Sequence, residues 1–190
     1  MAEYGRIRER MILSPWACLS EKDFVRAVTF DGCPFHGALM NGSDLYVHQT
    51  EVACWRLQTL MGLDFDKCPV SGREMVAHLK KVGLEPWLAY YTFSHRPENP
   101  LQSYRVLWRV ESDLNLEYSQ VSSALKVLNK LSMSLGDKHA MNPTRLWQGT
   151  NSGFFHWNPR ATRINVSRLL AEGSPQPVPG ATSRPTKPAL

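Results

Sequence analysis

Residues 104–110, YRVLWRV, carry Tyr104, Val106, Trp108 and Val110 on one parity and Arg105 and Arg109 on the other. That period of two does not suit a helix and predicts a strand with one buried face. Its neighbours add to the pattern. Residues 60–66, LMGLDFD, alternate as a strand, and residues 87–93, WLAYYTF, are aromatic and strand-like. Residues 71–82 place Met75, Val76, Leu79 and Val82 at helical spacing before Gly83, a stop signal. Residues 96–103 hold two prolines and an asparagine and read as a loop. Residues 116–135 carry Val121, Leu125, Leu128 and Leu131 on one stripe, a helix ended by Gly136. Residues 145–148 and 154–157 are expected to form a closing strand or hairpin, and residues 164–172 a short last helix.

The order from about residue 60 to 157 is β-α-β-β-α-β, an α+β chain in the split βαβ, or ferredoxin-like, pattern. There the last strand pairs with the first. Two helices cover one face of an antiparallel sheet, and the other face is left for chemistry or nucleic acid. Residues 1–59, broken by Gly32, Gly37 and Gly42, are expected to form a smaller lobe packed beside the sheet. Residues 60–172 form the catalytic core of the reading. Residues 173–190 hold five of the 13 prolines and read as a flexible linker, which suggests a longer parent chain.

Composition sets limits. At 190 residues with 43% hydrophobic content, the chain can build one core, so a wholly disordered chain is excluded. No apolar run reaches about 18 residues, so no membrane partner is expected. The charged start at residues 1–11 argues against a secretory signal. With four cysteines and no CxxC, reduced thiols in a cytoplasmic setting are expected. A zinc set of Cys33, His36, Cys54 and Cys68 has no familiar spacing. The net charge of +5 leans toward polyanionic partners.

The chemistry is expected around Asp64 and Asp66. On a strand they share a face, opposite Leu63 and Phe65, with Cα atoms about 7 Å apart. Two such carboxylates repel each other, and a cation between them removes the repulsion; Mg²⁺ or Mn²⁺ prefers these oxygen ligands. An isolated Asp-x-Asp is otherwise a solvated pair at a strand end. Asp137 follows the long helix, where an acid is mismatched with the helix dipole unless a metal offsets it. If the last strand lies beside the first, Asp137 comes next to Asp64 and Asp66. Three carboxylates could then hold two ions that clamp the oxygens of a phosphoryl transfer. His95, just after the second strand, can hydrogen-bond a triphosphate. Arg105, Arg109 and Arg145 suit phosphate or act as counter-charge. Ser94 and Thr92 are hydrogen bonders nearby, and Lys67 follows the acid pair.

Taken together, LDFDK at residues 63–67, YYTFSH at 90–95, YRVLW at 104–108 and GDKHAMNPTRLWQG at 136–149 resemble the archaeo-eukaryotic primase superfamily. The likeness is to the compact primase–polymerases of plasmids, phages and mobile elements, and it spans about residues 24–172. It implies an RRM-like catalytic sheet. It also implies metal ligands at Asp64, Asp66 and Asp137 for two Mg²⁺ or Mn²⁺ ions, and nucleotide contacts from His95, Ser94, Arg105 and Arg145. Ser94 stands directly before His95, where the family spacing puts its serine at Phe93. Gly136 stands before Asp137, where the family has a large apolar residue. The implied activity is template-dependent nucleotidyl transfer on DNA with NTP or dNTP, with a helicase or accessory priming region beyond the linker. The rival readings are a non-catalytic RRM-like binding module, which needs aromatics on the open face, a two-metal nuclease, and a zinc-dependent DNA-binding protein.

Overall fold

The alternation at residues 60–66 becomes strand β4 (Leu60–Cys68) in the computed structural model, which describes residues 20–36, 38–40, 55–111 and 113–173. The other elements are α1 (Glu21–Thr29), β1 (Phe35–His36), β2 (Ala38–Met40), β3 (Trp55–Gln58), α2 (Gly72–Lys81), β5 (Leu88–Tyr91), β6 (Gln102–Arg109), α3 (Tyr118–Leu131), β7 (Leu146–Trp147), β8 (His156–Trp157) and α4 (Val166–Gly173). The chain is thus a mixed α+β fold around a four-stranded antiparallel sheet ordered β4-β6-β5-β8. The expected linker at 174–190, most of 1–59 and Cys54 lie outside the described residues.

Parity decides the layers. Met61, Leu63 and Phe65 of β4 and Tyr104, Val106 and Trp108 of β6 face one side. There they pack with Met75, Val76 and Leu79 of α2, Val121, Ala124, Leu125 and Leu128 of α3, and Val166 and Leu169 of α4. Each such side chain contributes about 1.5–3 kcal/mol of burial. The helix starts are encoded locally. Ser71 accepts from the Glu74 N–H at 3.3 Å, and Glu74 accepts from the Ser71 N–H at 3.0 Å, closing a capping box. The Ser71 hydroxyl also donates to Glu74 Oε2 at 2.6 Å, and this bond, with that from the Ser71 N–H, lowers the Glu74 pKa.

The second face departs from the expectation. Val25 and Val28 of α1, Phe35 of β1 and Trp147 of β7 bury Leu88, Tyr90 and Leu107 in a second core. The face is therefore covered over its middle, and the described N-terminal residues share a core with the sheet. Gly149 makes this approach possible: a Cβ there would stand 2.3 Å from the Val28 carbonyl oxygen and 2.6 Å from that of Cys33. Two hydrogen bonds seal the junction, Thr150 N–H to Val28 O and Gly153 N–H to Thr29 O, each 2.7 Å.

The closing strand is also different. Residues 145–148 and 154–157 do not form one hairpin: β7 pairs with β1, and β8 pairs with β5 at the sheet edge away from β4. The seam with α1 turns the chain after β7 across the second face and delivers residues 154–157 to that far edge. The edge of β4 instead receives Asp137, whose N–H donates to Asp64 O at 2.7 Å. The long helix stops at Leu131, short of residue 135, because Met133 and Ser134 adopt left-handed backbone with φ of 60° and 57°.

Candidate active site

Asp64 and Arg105 are direct neighbours across β4 and β6. The Asp64 carbonyl points outward to Asp137, so this is a non-hydrogen-bonded antiparallel pair, the kind in which side chains approach most closely. Arg105 Nε donates to Asp64 Oδ1, and Nη2 donates to Oδ2 at 3.0 Å. The remaining fork is also used: Nη1 donates to the Tyr90 hydroxyl at 2.9 Å and to the Gln148 carbonyl at 2.6 Å. The guanidinium lies near the rings of Tyr90 and Trp147, 5.6 and 5.9 Å from their centroids. Burial works against its charge, but the Tyr90 and Asp64 partners outweigh that, so its pKa is raised. Arg105 is only 6% exposed. It orients Asp64, and its guanidinium is engaged by Asp64, Tyr90 and Gln148.

Asp66 is exposed at the end of the same face. Here β4 carries a bulge: Asp66 and Lys67 together oppose Ser103, and Lys67 takes a φ of +49°. The Ser103 hydroxyl donates to Asp66 Oδ1 at 2.7 Å and accepts from the Lys67 N–H at 3.2 Å. The extra residue shifts the parity, so Cys68 returns to the helix-side core, its sulfur 3.4 Å from the Tyr104 hydroxyl.

Asp137 meets Asp64 through the main chain. Gly136 permits this: its N–H donates to Asn129 Oδ1 at 2.8 Å, and a Cβ there would stand 2.7 Å from that oxygen. The large apolar residue of the family pattern has no room. The expected dipole mismatch is absent, because Asp137 caps the short turn Lys138–Ala140 by accepting from the His139 N–H at 2.9 Å. The charge argument for a metal therefore falls away at this position.

Arg145 stands beside Asp64, with Nε 3.8 Å from Oδ2 and its side chain 36% exposed. That Nε has no hydrogen-bond partner among the described residues. His95 stacks on Tyr91 with centroids 4.1 Å apart and planes 13° from parallel, and its buried Nδ1 has no hydrogen-bond partner among the described residues. Tyr91 packs against the helix-side core, and no hydrogen bond or ion pair among the described residues joins His95 to Asp64. The Ser94 hydroxyl lies 3.0 Å from that of Thr92. Arg109 ties Glu21 at 3.0 Å to the carbonyls of Pro159 and Ala161 and takes no part in the site.

Sequence reasoning missed Ser103 and Tyr90. Both carried a signal: Ser103 shares the parity of Arg105, and Tyr90 faces Arg105 across the strands.

Among the described residues, no group of three or more His, Cys, Asp or Glu side chains is placed to hold a metal ion. Exposed Cys33 and buried Cys68 stand apart from any such group. The oxygen donors of Asp64, Asp66 and Asp137 suit a hard divalent cation, while their present partners are Arg105, Ser103 and the His139 N–H. No helix of the described residues is long and apolar enough to cross a membrane.

No protein-family model matches the chain, and no curated protein matches it. Among solved structures it is similar to the AEP domain of the cyanophage S-2L primase–polymerase. The identity is 16%, over 86% of this chain and 82% of that one, with a TM-score of 0.48.

Proposed function

We propose that the chain is a nucleotidyltransferase of the primase–polymerase kind, extending or starting a DNA-templated strand from nucleoside triphosphates. The observation that carries the reading is the contact between Asp137 N–H and Asp64 O. It joins acids 73 positions apart (137 − 64) at the end of a strand that also bears Asp66. Within this reading Asp64, Asp66 and Asp137 would hold Mg²⁺ or Mn²⁺, which supplies neutralisation of the triphosphate and a more acidic attacking hydroxyl.

The chain's own residues have separate tasks. Arg105 orients Asp64 through both of its carboxylate oxygens. Asp66 has one oxygen engaged by Ser103 and the other open to solvent chemistry. Arg145, whose side chain is 36% exposed beside Asp64, is the guanidinium suited to the phosphates. His95, in the loop after β5, is the imidazole that would bind the triphosphate. In the reaction a strand hydroxyl oxygen attacks the α-phosphorus, that P–O bond forms, and the bond to pyrophosphate breaks.

The test is a labelled primer–template incubated with Mg²⁺ or Mn²⁺, with and without nucleotides. Nucleotide-dependent growth that Asp66→Asn abolishes supports the reading. Shortening without nucleotides would make the protein a nuclease, and binding with no change in length would make it a binding module. Tyr104 and Trp108 lie in the helix-side core and offer no base-stacking face, which weighs against the binding module.

A further inference from the structure

Three phenylalanines from three separate chain segments come to the surface together. Phe30, at the end of α1, is 53% exposed, Phe93, in the loop after β5, is 48% exposed, and Phe154, before β8, is 39% exposed. Phe30 and Phe154 meet edge to face with centroids 6.1 Å apart, and Phe154 leans on Trp157 at 5.8 Å, which joins the patch to the second core. Gly32 and Gly153 link the rings. The Phe93 ring is 3.4 Å from where a Gly32 Cβ would stand, and the Phe30 ring is 3.4 Å from where a Gly153 Cβ would stand. Both glycines have positive φ, +69° and +74°, so a side chain at either would be strained as well as crowded. Single exposed apolar residues are ordinary, but a contiguous aromatic patch marks a binding surface.

Exposed cations flank the patch. Lys22 and Arg26 share one exposed face of α1, and exposed Phe30 is its C-cap residue. Arg96 is exposed and donates to the Phe93 carbonyl at 2.9 Å. Exposed acids stand on the same segments: Asp31 beside Phe30, Asp23 on α1 and Glu98 two residues after Arg96. Aromatic faces flanked by guanidinium and ammonium groups match unpaired nucleobases on a phosphate backbone. A duplex hides its base faces, so the matching partner is a single strand.

We infer that Phe30, Phe93 and Phe154 form a stacking platform for the unpaired bases of a single strand, with Lys22, Arg26 and Arg96 following its phosphates. This rests on the nucleotidyltransferase reading and extends it. The platform reaches the sheet end through Phe93, one residue beyond Thr92, whose N–H bonds Ser103 O at 3.1 Å beside Asp66. An unpaired strand on the rings is thereby led toward the acids.

The test uses fluorescence anisotropy with no metal or nucleotide, so it does not depend on catalysis. The probes are labelled oligothymidine and an abasic strand of the same length. The protein should bind the base-bearing strand more tightly than the abasic one. Alanine at Phe30, Phe93 or Phe154 should weaken that binding about five- to a hundredfold while leaving abasic binding unchanged. Phe30→Trp should retain it. Arg26→Ala with Arg96→Ala should weaken both strands alike and flatten the salt dependence. Thermal unfolding checks each variant, and Phe93→Ala, borne on a loop, serves if the α1 variant fails to fold. Equal binding of both strands by the unaltered protein would overturn the platform. So would a dimer in sedimentation that Phe30→Ala dissolves, because the rings would then serve self-association. Preference for bases without nucleotide incorporation would sink the catalytic reading alone, and incorporation without preference would sink the platform alone.

Discussion

Arg105 holds both carboxylate oxygens of Asp64 from inside the second core, where it is itself only 6% exposed. The two residues act as one unit, and the unit separates structural from chemical roles at the site.

Removing Arg105 should be costly. Arg105→Ala leaves the Asp64 carboxylate, the Tyr90 hydroxyl and the Gln148 carbonyl without their donor. A stability loss of about 3–5 kcal/mol is expected in urea unfolding. Arg105→Lys keeps the charge but not the fork, and should recover less than half of that loss. A loss below about 1 kcal/mol for the alanine variant would show that the pair is not desolvated.

The two acids of β4 should differ in their effect on stability. Asp66→Asn removes an exposed charge whose Ser103 contact an amide oxygen can keep. Stability should change by less than about 0.5 kcal/mol, while nucleotide incorporation falls at least about a hundredfold. Asp64→Asn uncovers the Arg105 charge and should cost about 3–5 kcal/mol as well as activity. Equal stability for the two variants would contradict the division.

Gly136 should tolerate no side chain. Its missing Cβ leaves room for Asn129 Oδ1, a buried acceptor that holds the Gly136 N–H. Gly136→Ala should cost about 1–3 kcal/mol and lower incorporation, because Asp137 follows directly. Combined with Asn129→Ala, the two losses should be non-additive, with the double variant less damaged than the sum of its parts. Simple addition in denaturant titrations would show that the residues are uncoupled.

Alkaline stability should depend on two tyrosines. Burial pushes the Tyr90 hydroxyl up to about 12, with the nearby Arg105 charge acting the other way. Tyr104 is raised further, again chiefly by burial. An unfolded tyrosine ionises near pH 10. The stabilisation from the neutral folded groups is therefore complete below about pH 10 and is lost as the pH rises toward 12. Absorbance titration at alkaline pH should show these two of the six tyrosines ionising only as the fold is lost. Tyr90→Phe should flatten the decline, and an unaltered slope would place the pH dependence elsewhere.

Much of the molecule was legible from residues 60–135 alone. The parity of Met61, Leu63 and Phe65 against Asp64 and Asp66, and of Tyr104, Val106 and Trp108 against Arg105, fixed which side chains meet the helices. The stripe from Val121 to Leu128 and the Ser71–Glu74 cap are equally local, because helix and strand periods are backbone properties that a short window contains. Periodicity names a face, however, and not the neighbour across it. The pairing of β8 with β5, the cover that Val25, Val28 and Trp147 lay over the second face, and the engagement of Asp64 by Arg105 all arise between residues distant in the chain. Only tertiary packing decided them, since each depends on close approaches such as Gly149 against the Val28 carbonyl, which no local pattern specifies.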